Sequence, residues 1–509
     1  MHRLPVQLVW FKRDLRIDDH EPLSQAARRG PVLPLYVVEP GLWQQPDMAG
    51  RHWEFIAESL ATLRQDLAAI GQPLLVRQGE IRLVLDTLQR DYVIDAVWSH
   101  QETGNDWTYR RDRQVRDYLL SRDIAWHEQP QNGVVRRLLT RDGWSRCWET
   151  RMTAARSLPP ASLTQLDGMD PGVIPALPEP GLAPDPCPGR QPGGRSRGLE
   201  ILESFLNERG CSYHTAMSSP VTAYDSCSRL SPHLAYGTVS IREVLQACRE
   251  RRREVKAQPA AVRGTWAKAL AAFEGRLHWH CHFMQKLESE PRIEFENLHR
   301  ACDGLRGDRP DRQISVAWCR GETGFPLVDA CMRALEATGW INFRMRAMLM
   351  SFACYHLWLH WREPALFLAR RFTDYEPGIH YAQSQMQAGT TGINTFRIYN
   401  PVKQSQDQDP EGRFIREWLP ELAQVEDRWI HMPWEMDART QRQCGCGIGR
   451  DYPPPVVDHI EAARAARRRL AGLRRGEARE EGRAILQRHG SRRSGARAST
   501  ERHTSGVNR

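Results

Sequence analysis

The N-terminal part of the chain alternates short apolar segments with longer amphipathic ones, and this alternation restricts the fold more than any other feature. Five segments are apolar and rich in β-branched or aromatic side chains, as strands buried on both faces are: residues 7–11, 32–38, 73–78, 94–99 and 124–128. Segments 21–29, 52–70, 81–89 and 106–120 between them have helical character. The pattern therefore predicts a doubly wound parallel sheet over residues 1–135. Such sheets bind ligands at the carboxyl ends of their strands, although no GxGxxG fingerprint follows the first strand.

A change of composition marks the end of this part. Ten of the 33 prolines fall in residues 158–194, which end in Gly193-Gly194. We therefore expect residues 136–194 to form a Pro-rich interdomain connection. Helical patterns follow it, most clearly over residues 199–207, 241–251, 265–287, 326–337 and 341–361. The predicted architecture is an α/β domain followed by an all-α domain over residues 195–458.

The positive charge of the chain is concentrated at its C-terminal end. The formal net charge is +9, and residues 461–509 hold fourteen Arg and five Glu, so that residues 1–460 are formally neutral. We expect an Arg-rich amphipathic helix and a disordered tail over residues 459–509. This segment is either a solvated appendage or one that binds a polyanion by releasing counterions.

The remaining composition indicates a cytoplasmic protein with reduced thiols. No run of about 18 apolar residues predicts a membrane span, and the N-terminal apolar stretch is too short for a signal peptide. The twelve cysteines are scattered, so a disulfide framework is not expected. His278, His280 and His282 alternate and do not share a helix face as zinc ligands at i and i+4 would. We expect no metal site.

Four separated motifs carry most of the chemical information. They are WFKRDLR (residues 10–16), SRLSPHL with GTVS (228–234 and 237–240), WCRGETGFPLVDA with TGW (318–330 and 338–340), and FRIYNP with WLPEL (396–401 and 418–422). In this order they resemble the photolyase/cryptochrome family, over roughly residues 5–458. The resemblance implies a Rossmann-like antenna domain and a C-terminal helical domain that encloses FAD.

The same resemblance implies a set of FAD-binding residues. They are Tyr213, Ser228, Arg229, Leu230, Ser231, Phe273, Arg346, Asp374, Tyr375, Glu376 and His380. Serine hydroxyls beside an arginine suit a pyrophosphate near a helix N-terminus. Arg346, held by Asp374, would stabilise negative charge on a reduced flavin ring. His380 stands where dimer-repairing members have the Asn that faces flavin N5, and we assign it a catalytic role together with Trp361.

Several positions depart from the family pattern. Ser384 stands where the flavin-proximal tryptophan of an electron relay is expected, while Trp361 matches the middle position and the distal one falls near Asp308. A serine cannot carry an electron hole, so the usual relay is broken at its first step. The expected DNA-binding set is Arg276, Trp279, His280, Phe343, Arg344 and Met386. Trp279 matches a lesion-stacking tryptophan, whereas Arg276, Phe343 and Met386 replace the residues of typical members.

The resemblance implies an FAD-dependent blue-light DNA photolyase, a monomer that binds damaged DNA and splits pyrimidine dimers. The alternative is a cryptochrome-like photoreceptor without repair activity, which would need a signalling partner. A third reading is a light-independent flavoprotein or DNA-binding relic. The sequence is compatible with a second chromophore that acts as an antenna, of the folate or the deazaflavin type. It does not show which of the two types is bound, or whether an antenna is bound at all. The lesion type stays open.

Overall fold

The computed structural model describes residues 4–179, 181–307, 311–393 and 396–490. Its N-terminal part contains one five-stranded sheet: β1 Leu4–Phe11, β2 Val32–Val38, β3 Leu75–Gln78, β4 Tyr92–His100 and β5 Ala125–Gln129. The strand order is β3-β2-β1-β4-β5, and all neighbours pair in parallel. Every residue of β2 is buried, as an apolar strand covered on both faces requires. The predicted doubly wound sheet is confirmed.

Helices cover both faces of this sheet. They are α1 Glu21–Ala27, α2 Pro40–Trp43, α3 Gly50–Ala69, α4 Ile81–Leu88 and α5 Asp106–Leu120. Helix α3 buries an apolar stripe that includes Phe55, Leu60, Leu63 and Leu67. This helical spacing drives α3 onto the sheet, because burying each such side chain contributes about 1.5–3 kcal/mol.

The Pro-rich connection is packed against the N-terminal part. It contains helix α6 Trp144–Thr153, after which the described residues up to 194 form no helix or strand. The Trp53 indole donates to the carbonyls of Pro175 and Ala176, and the guanidinium of Arg51 donates to both carboxylate oxygens of Asp185 at 2.8 Å. The connection therefore follows the surface of α3 and does not behave as a free tether.

The rest of the described chain is helical. The first helices are α7 Arg195–Asn207, α8 Tyr213–Ala216, α9 Pro220–Ser226, α10 Ser231–Ala235, α11 Ile241–Ala257, α12 Ala260–Arg263 and α13 Trp266–Ser289. They are followed by α14 Arg312–Arg320, α15 Pro326–Thr338, α16 Phe343–Ser351, α17 Arg362–Arg371, α18 Pro377–Ala388, α19 Pro401–Gln408, α20 Arg413–Trp418 and α21 Ala438–Cys444. Short 3-10 turns cover Arg209–Ser212, Pro291–Glu294, Arg300–Cys302, Pro420–Leu422 and Pro433–Glu435. The described helices include none with the length and apolar character that crossing a membrane requires.

One predicted helix is interrupted. The sequence pattern predicts a single helix over residues 341–361, but α16 ends at Ser351 and a π-helical turn, Phe352–His356, follows it. Trp358 then adopts a left-handed backbone conformation with φ of 54°, which an α-helix cannot continue through. The spacing of apolar residues does not reveal this change, because an α-helix and a single π-helical turn bury similar faces.

Two further helices follow residue 458: α22 His459–Leu470 and, after a 3-10 turn at Ala471–Arg474, α23 Gly476–His489. Leu470 of α22 is buried beside Tyr355 and Trp358. In α23, the Glu481 carboxylate accepts hydrogen bonds from the Arg300 and Ala301 amides. The expected Arg-rich helix is present, but the interpretation of a solvated appendage is wrong for α22 and α23. The tail predicted at 491–509 lies outside the described residues, and the predicted domain boundaries stay predictions.

The loop after β1 docks onto the segment after α10. The amide of Leu15 donates to the carbonyl of Tyr236, and the Arg16 guanidinium donates to the carbonyl of Gly237 at 2.8 Å. The Asp19 carboxylate accepts from the Ser240 hydroxyl and pairs with Arg242. Side-chain and main-chain hydrogen bonds thus join the sheet region to the helical region.

Gly237 allows this close approach. Its φ is 65°, and a Cβ there would lie 2.3 Å from the Arg13 carbonyl oxygen. We predict that Gly237→Ala lowers the free energy of unfolding by roughly 2–5 kcal/mol, because left-handed strain adds to a backbone clash. Urea unfolding of purified protein measures the change.

Gly275→Ala is the matched control. A Cβ at this position in α13 meets no atom within 4 Å. Its stability is expected to be unchanged or raised by about 0.5–1 kcal/mol, because alanine favours a helix interior. Equal losses in the two variants would contradict the docking role of Gly237.

Candidate functional site

A group of arginines surrounds Cys227, just after the end of α9. Burial raises the pKa of the Cys227 thiol to about 11, against the opposing effect of Arg229, Arg209, Arg276 and Arg346. Arg209 donates to main-chain carbonyls of this loop, including that of Ser228. The segment that the sequence assigns to phosphate binding is therefore the meeting point of four cations.

Arg229 is held by aromatic rings. Its backbone is left-handed, with φ of 59°, and its guanidinium lies 3.9 Å from the Tyr224 ring centroid and 4.0 Å from that of Trp340. Its Nε donates to Gln191, whereas its Nη1 is buried without a hydrogen-bond partner. Leu230 is buried, and Ser228 and Ser231 are half-buried beside it. The unpartnered guanidinium nitrogen leaves a donor for an acceptor of a ligand.

Arg346 and Asp374 form a bidentate pair. Nη1 and Nη2 of Arg346 each lie 2.9 Å from a carboxylate oxygen of Asp374, and Nε donates to the Ile341 carbonyl at 2.8 Å. The guanidinium also lies 4.0 Å from the Phe372 ring centroid. The predicted pairing is present. A fork held at all three nitrogens has a defined orientation, which favours a positioned charge over a mobile surface cation.

Aromatic side chains lie next to the arginines around Cys227, and we call the region that these residues form together the cleft. The rings of Tyr213 and Phe273 meet edge to face at 5.9 Å. Burial raises the pKa of the Tyr213 phenol, and the Arg276 guanidinium beside it opposes this shift. The structure thus brings Tyr213, Phe273 and Arg276 together with the arginines near Cys227.

Large apolar side chains are exposed at the mouth of the cleft. Phe343 is 46% exposed, with the Arg276 guanidinium 6.0 Å from its ring centroid, and Trp279 is 41% exposed. Trp279 stacks on Phe283 with centroids 5.6 Å apart. Arg344 is half-buried, and its Nε has no partner. These residues lie at the surface, as the sequence-based assignment to DNA binding requires.

A second group of predicted residues lies deeper, around Asp47. The hydroxyls of Tyr375 and Tyr381 donate to Asp47 at 2.5 and 3.0 Å. The His380 ring contacts both tyrosines, and its Nε2 donates to the Ala365 carbonyl at 2.8 Å. Burial lowers the pKa of His380 to about 4. Burial therefore favours the neutral form of the His380 imidazole.

Glu376 and His280 face a different space. Both line a cavity of about 440 Å³ between the sheet region and α13, together with Arg13 and Asn132. Burial raises the pKa of Glu376 to about 7, and Arg13, 3.4 Å away, opposes the shift. His280 thus lies apart from Trp279 although the two are consecutive, since neighbouring residues of a helix point in different directions.

The relay positions are only partly aromatic. Trp361 is fully buried, donates to Asn297 at 2.9 Å, and meets the Tyr381 ring at 6.5 Å. Ser384 is buried at the position expected for the proximal tryptophan, and Met386 is half-buried. Asp308, near the distal position, lies outside the described residues.

Sequence reasoning gave no role to several residues of the site. Trp340 and Tyr224 sandwich Arg229, and Asp47 anchors two tyrosines. Trp340 stands in the TGW motif, which is a signal that could have identified it. Asp47 lies in a short connection of the sheet region with no motif around it, so only the tertiary structure reveals its contacts.

Comparisons with known proteins agree with this geometry. A family model described as "DNA photolyase" matches residues 7–141, and one described as "FAD binding domain of DNA photolyase" matches residues 273–472. A cryptochrome DASH of Gloeobacter violaceus is 30% identical over 90% of this chain and 94% of its own length. A deoxyribodipyrimidine photo-lyase of Streptomyces griseus is 30% identical over 92% of this chain and 100% of its own.

Solved structures have the same architecture. A class III photolyase from Agrobacterium tumefaciens superposes with a TM-score of 0.81 at 26% identity, over 93% of this chain and 98% of that one. A cryptochrome from Synechocystis superposes with a TM-score of 0.82 at 26% identity, over 92% and 99% of the two chains. Both photolyases and cryptochromes thus share the fold and its domain arrangement.

The charges of the cleft fit FAD. Among the described residues, Arg209, Arg229 and Arg276 pair with no carboxylate, while Arg346 pairs with Asp374. Four cations around one carboxylate leave excess positive charge, which a diphosphate would reduce. Tyr213 and Phe273 provide an aromatic wall. We expect Arg229 and the serines at 228 and 231 to hold the diphosphate, and Arg346 to lie beside the flavin ring.

We predict that Asp374→Asn releases flavin. The amide cannot accept both guanidinium hydrogen bonds as a carboxylate does, so Arg346 loses its fixed orientation. The ratio of flavin to protein absorbance in purified protein is expected to fall at least severalfold. Loss of the pair also lowers stability, by less than the roughly 3–5 kcal/mol of a fully buried pair, because the Arg346 side chain retains 24% exposure.

Glu421→Gln is the matched control for Asp374→Asn. Glu421 forms a similar bidentate pair with Arg333 of α15, away from the cleft. The two guanidinium nitrogens lie 2.6 and 3.1 Å from the carboxylate oxygens. This variant is expected to lose comparable stability but to keep its flavin. Flavin loss in both variants, or in neither, would contradict the assignment of Asp374.

Proposed function

The chain belongs to the photolyase/cryptochrome family, and we propose that it is an FAD-dependent blue-light DNA photolyase that acts on pyrimidine dimers. The FAD-binding domain and the relatives named photolyase support this reading. The observation that carries it is the exposure of two aromatic rings near one arginine: Phe343 has the Arg276 guanidinium over its ring, and Trp279 stands three residues after Arg276 on α13. Soluble proteins seldom expose large aromatic rings in one place without a binding role.

The mouth of the cleft suits an extruded base. Trp279 and Phe343 each expose more than two fifths of their surface, and the Arg276 guanidinium lies over the Phe343 ring. Stacking of a base on an aromatic side chain contributes about 1–3 kcal/mol. A damaged base leaves the duplex at a lower unstacking cost than an intact one. The aromatic pair would therefore select a lesion that already stacks poorly.

The other residues of the site position the substrate and the cofactor. Arg344, beside Phe343 on α16, would contact a DNA phosphate and orient the strand. Arg346, fixed by Asp374, would stabilise negative charge on the flavin ring, and burial favours the neutral form of His380. When bound, reduced FAD supplies under blue light the electron that splits the cyclobutane ring and takes it back afterwards.

A cryptochrome-like photoreceptor is the second candidate. Its support is Ser384, which is buried where the family has the relay tryptophan, and the cryptochromes among the relatives. Such a protein would respond to light by a change in flavin redox state that a signalling partner reads. A photoreceptor of this kind would not need the exposed rings of Trp279 and Phe343 at the mouth of the cleft.

A second cavity suits an antenna chromophore. It lies at the carboxyl ends of β1 and β2, where doubly wound sheets bind ligands. Lys12, Glu39 and Arg111 supply charge, and Trp10 and Tyr36 supply aromatic surface. This lining suits a flat, polar chromophore and does not separate a folate from a deazaflavin.

Repair of a dimer-containing oligonucleotide tests the proposed function. Purified protein, reduced in the dark and then exposed to blue light, is expected to restore intact pyrimidines, and the dark sample is expected to be inactive. No repair by a protein that carries flavin and shows a light-dependent flavin spectrum would overturn the photolyase proposal in favour of the photoreceptor.

We predict that Trp279→Ala and Phe343→Ala each weaken binding of lesion-containing DNA by about fivefold to a hundredfold, the equivalent of one lost stacking contact. Binding of undamaged DNA is expected to change much less. Fluorescence anisotropy with matched duplexes measures both affinities.

Phe295→Ala is the control for the cleft-mouth aromatics. Phe295 is 44% exposed and has the Arg362 guanidinium 5.2 Å from its ring, so it resembles Phe343 in exposure and partner but lies elsewhere. It is expected to leave lesion binding unchanged. Equal losses for damaged and undamaged DNA in the Trp279 and Phe343 variants would remove their stacking role.

A further inference from the structure

Basic side chains from three separate segments meet beside the C-terminal half of α13. Arg141 comes from the loop before α6, Lys286 from α13, and His489 from the end of α23. All three are buried, with exposures of 7%, 5% and 0%. We call this group the basic pocket. It lies outside the arginine cleft described above.

Arg141 is only partly satisfied. Its Nη2 donates to the His282 carbonyl at 3.0 Å, and its guanidinium lies 5.1 Å from the Trp144 ring centroid. Its Nε and Nη1 are buried and have no hydrogen-bond partner in the part of the chain that the structure describes. Burying a guanidinium with two unused donors lowers the stability of the fold, because each N–H group loses its hydrogen bond to water and gains no other acceptor.

Lys286 and His489 lack partners as well. The Lys286 ammonium lies 5.2 Å from the Phe283 ring and forms no ion pair or hydrogen bond within the described part of the chain. Among the described residues, neither ring nitrogen of His489 has a hydrogen-bond partner. Unused polar groups from three segments are therefore buried close to one another.

The nearest carboxylate is engaged elsewhere. Oε2 of Glu290 lies 3.6 Å from His489 Nε2, but it accepts from Arg488 at 2.9 Å, while Oε1 accepts from Arg292 at 2.6 Å. Glu290 is thus already paired with the half-buried Arg292 and the exposed Arg488. It does not balance the charges of the basic pocket.

The electrostatics of the pocket show the same deficit. Burial lowers the pKa of Arg141 to about 10 and that of Lys286 to about 8, and Arg141 lowers the latter further. No carboxylate counteracts either shift. Two neighbouring buried basic groups thus have no carboxylate partner among the described residues.

We propose that Arg141, Lys286 and His489 bind a small free oxyanion of the phosphate or sulfate class, which joins α23 to α13. The Arg141 guanidinium offers an oxyanion one of its unused N–H groups, and the Lys286 ammonium adds a point charge. The His489 imidazole can donate one further hydrogen bond. One tetrahedral oxyanion would accept from all three side chains and offset the two positive charges.

A free anion fits the basic pocket better than the backbone of DNA. The three side chains are at most 7% exposed, and α23 covers them. A duplex phosphate cannot reach such groups unless α23 leaves. Free phosphate and the DNA backbone carry the same phosphate group, so the experiment tests inorganic phosphate and a DNA duplex separately.

The test uses the full chain and inorganic phosphate as the probe. In wild-type protein, phosphate is expected to raise Tm above its value in chloride at equal ionic strength, and to slow tryptic cleavage within α23. Calorimetric titration gives the phosphate affinity. Equal Tm and equal cleavage in phosphate and chloride would overturn the proposal.

Lys286→Met separates anion binding from general stability. Loss of a charge-assisted hydrogen bond is expected to weaken phosphate binding about tenfold or more. In chloride the same variant is expected to be as stable as wild type or more stable, because an unpaired buried charge is gone. Arg141→Gln is expected to lose phosphate binding as well. Unchanged phosphate affinity in both variants would contradict the proposal.

Arg146→Gln is the matched control. Arg146 is an exposed arginine on α6, a few residues from Arg141, and it is expected to keep the full phosphate response. In a second arm, an undamaged DNA duplex at the same phosphate concentration is expected neither to compete for the site nor to protect α23. Competition by the duplex would assign the phosphate to DNA and overturn the assignment to a free oxyanion.

Discussion

The side chain of Arg13 joins the parts of the molecule on which the site depends. It extends from the loop after β1, and its Nε donates to the Ala235 carbonyl at 2.9 Å and its Nη2 to the Tyr375 carbonyl at 2.7 Å. Ala235 ends α10, which begins at Ser231, and Tyr375 follows the carboxylate that orients Arg346. One guanidinium from the sheet region therefore links the two segments that we expect to hold the diphosphate and the flavin ring.

The positive charges of the cleft and the net charge of the chain come from different regions of the molecule. The cleft lies in the formally neutral part of the sequence, and its positive potential comes from local pairing, in which Arg229 and Arg276 lack carboxylates. The Arg-rich C-terminal part is responsible for the net charge, yet α22 and α23 pack on the helical region. The high pI thus has little bearing on the cleft, whose chemistry depends on which arginines are left without an acid.

Local sequence patterns predicted the sheet and its helices, because strand burial and helical periodicity are properties of neighbouring residues. The Arg346–Asp374 pair joins residues 28 positions apart and was expected only from the family resemblance. Local patterns did not predict the π-helical turn after Ser351, the tyrosines on Asp47, or the approach of His489 to Lys286. Each of these depends on contacts between residues far apart in the chain. The separation of His280 from Trp279 likewise depends on which faces of α13 its neighbouring elements cover.

The affinity of the apoprotein for FAD in an Arg13→Lys variant tests the central claim most directly. Lysine keeps the charge but lacks the planar fork, so it cannot hold the Ala235 and Tyr375 carbonyls at once. The account predicts at least tenfold weaker FAD binding, with the sheet unchanged by circular dichroism and amide exchange. Wild-type FAD affinity in this variant would contradict the claim that Arg13 holds the cleft together.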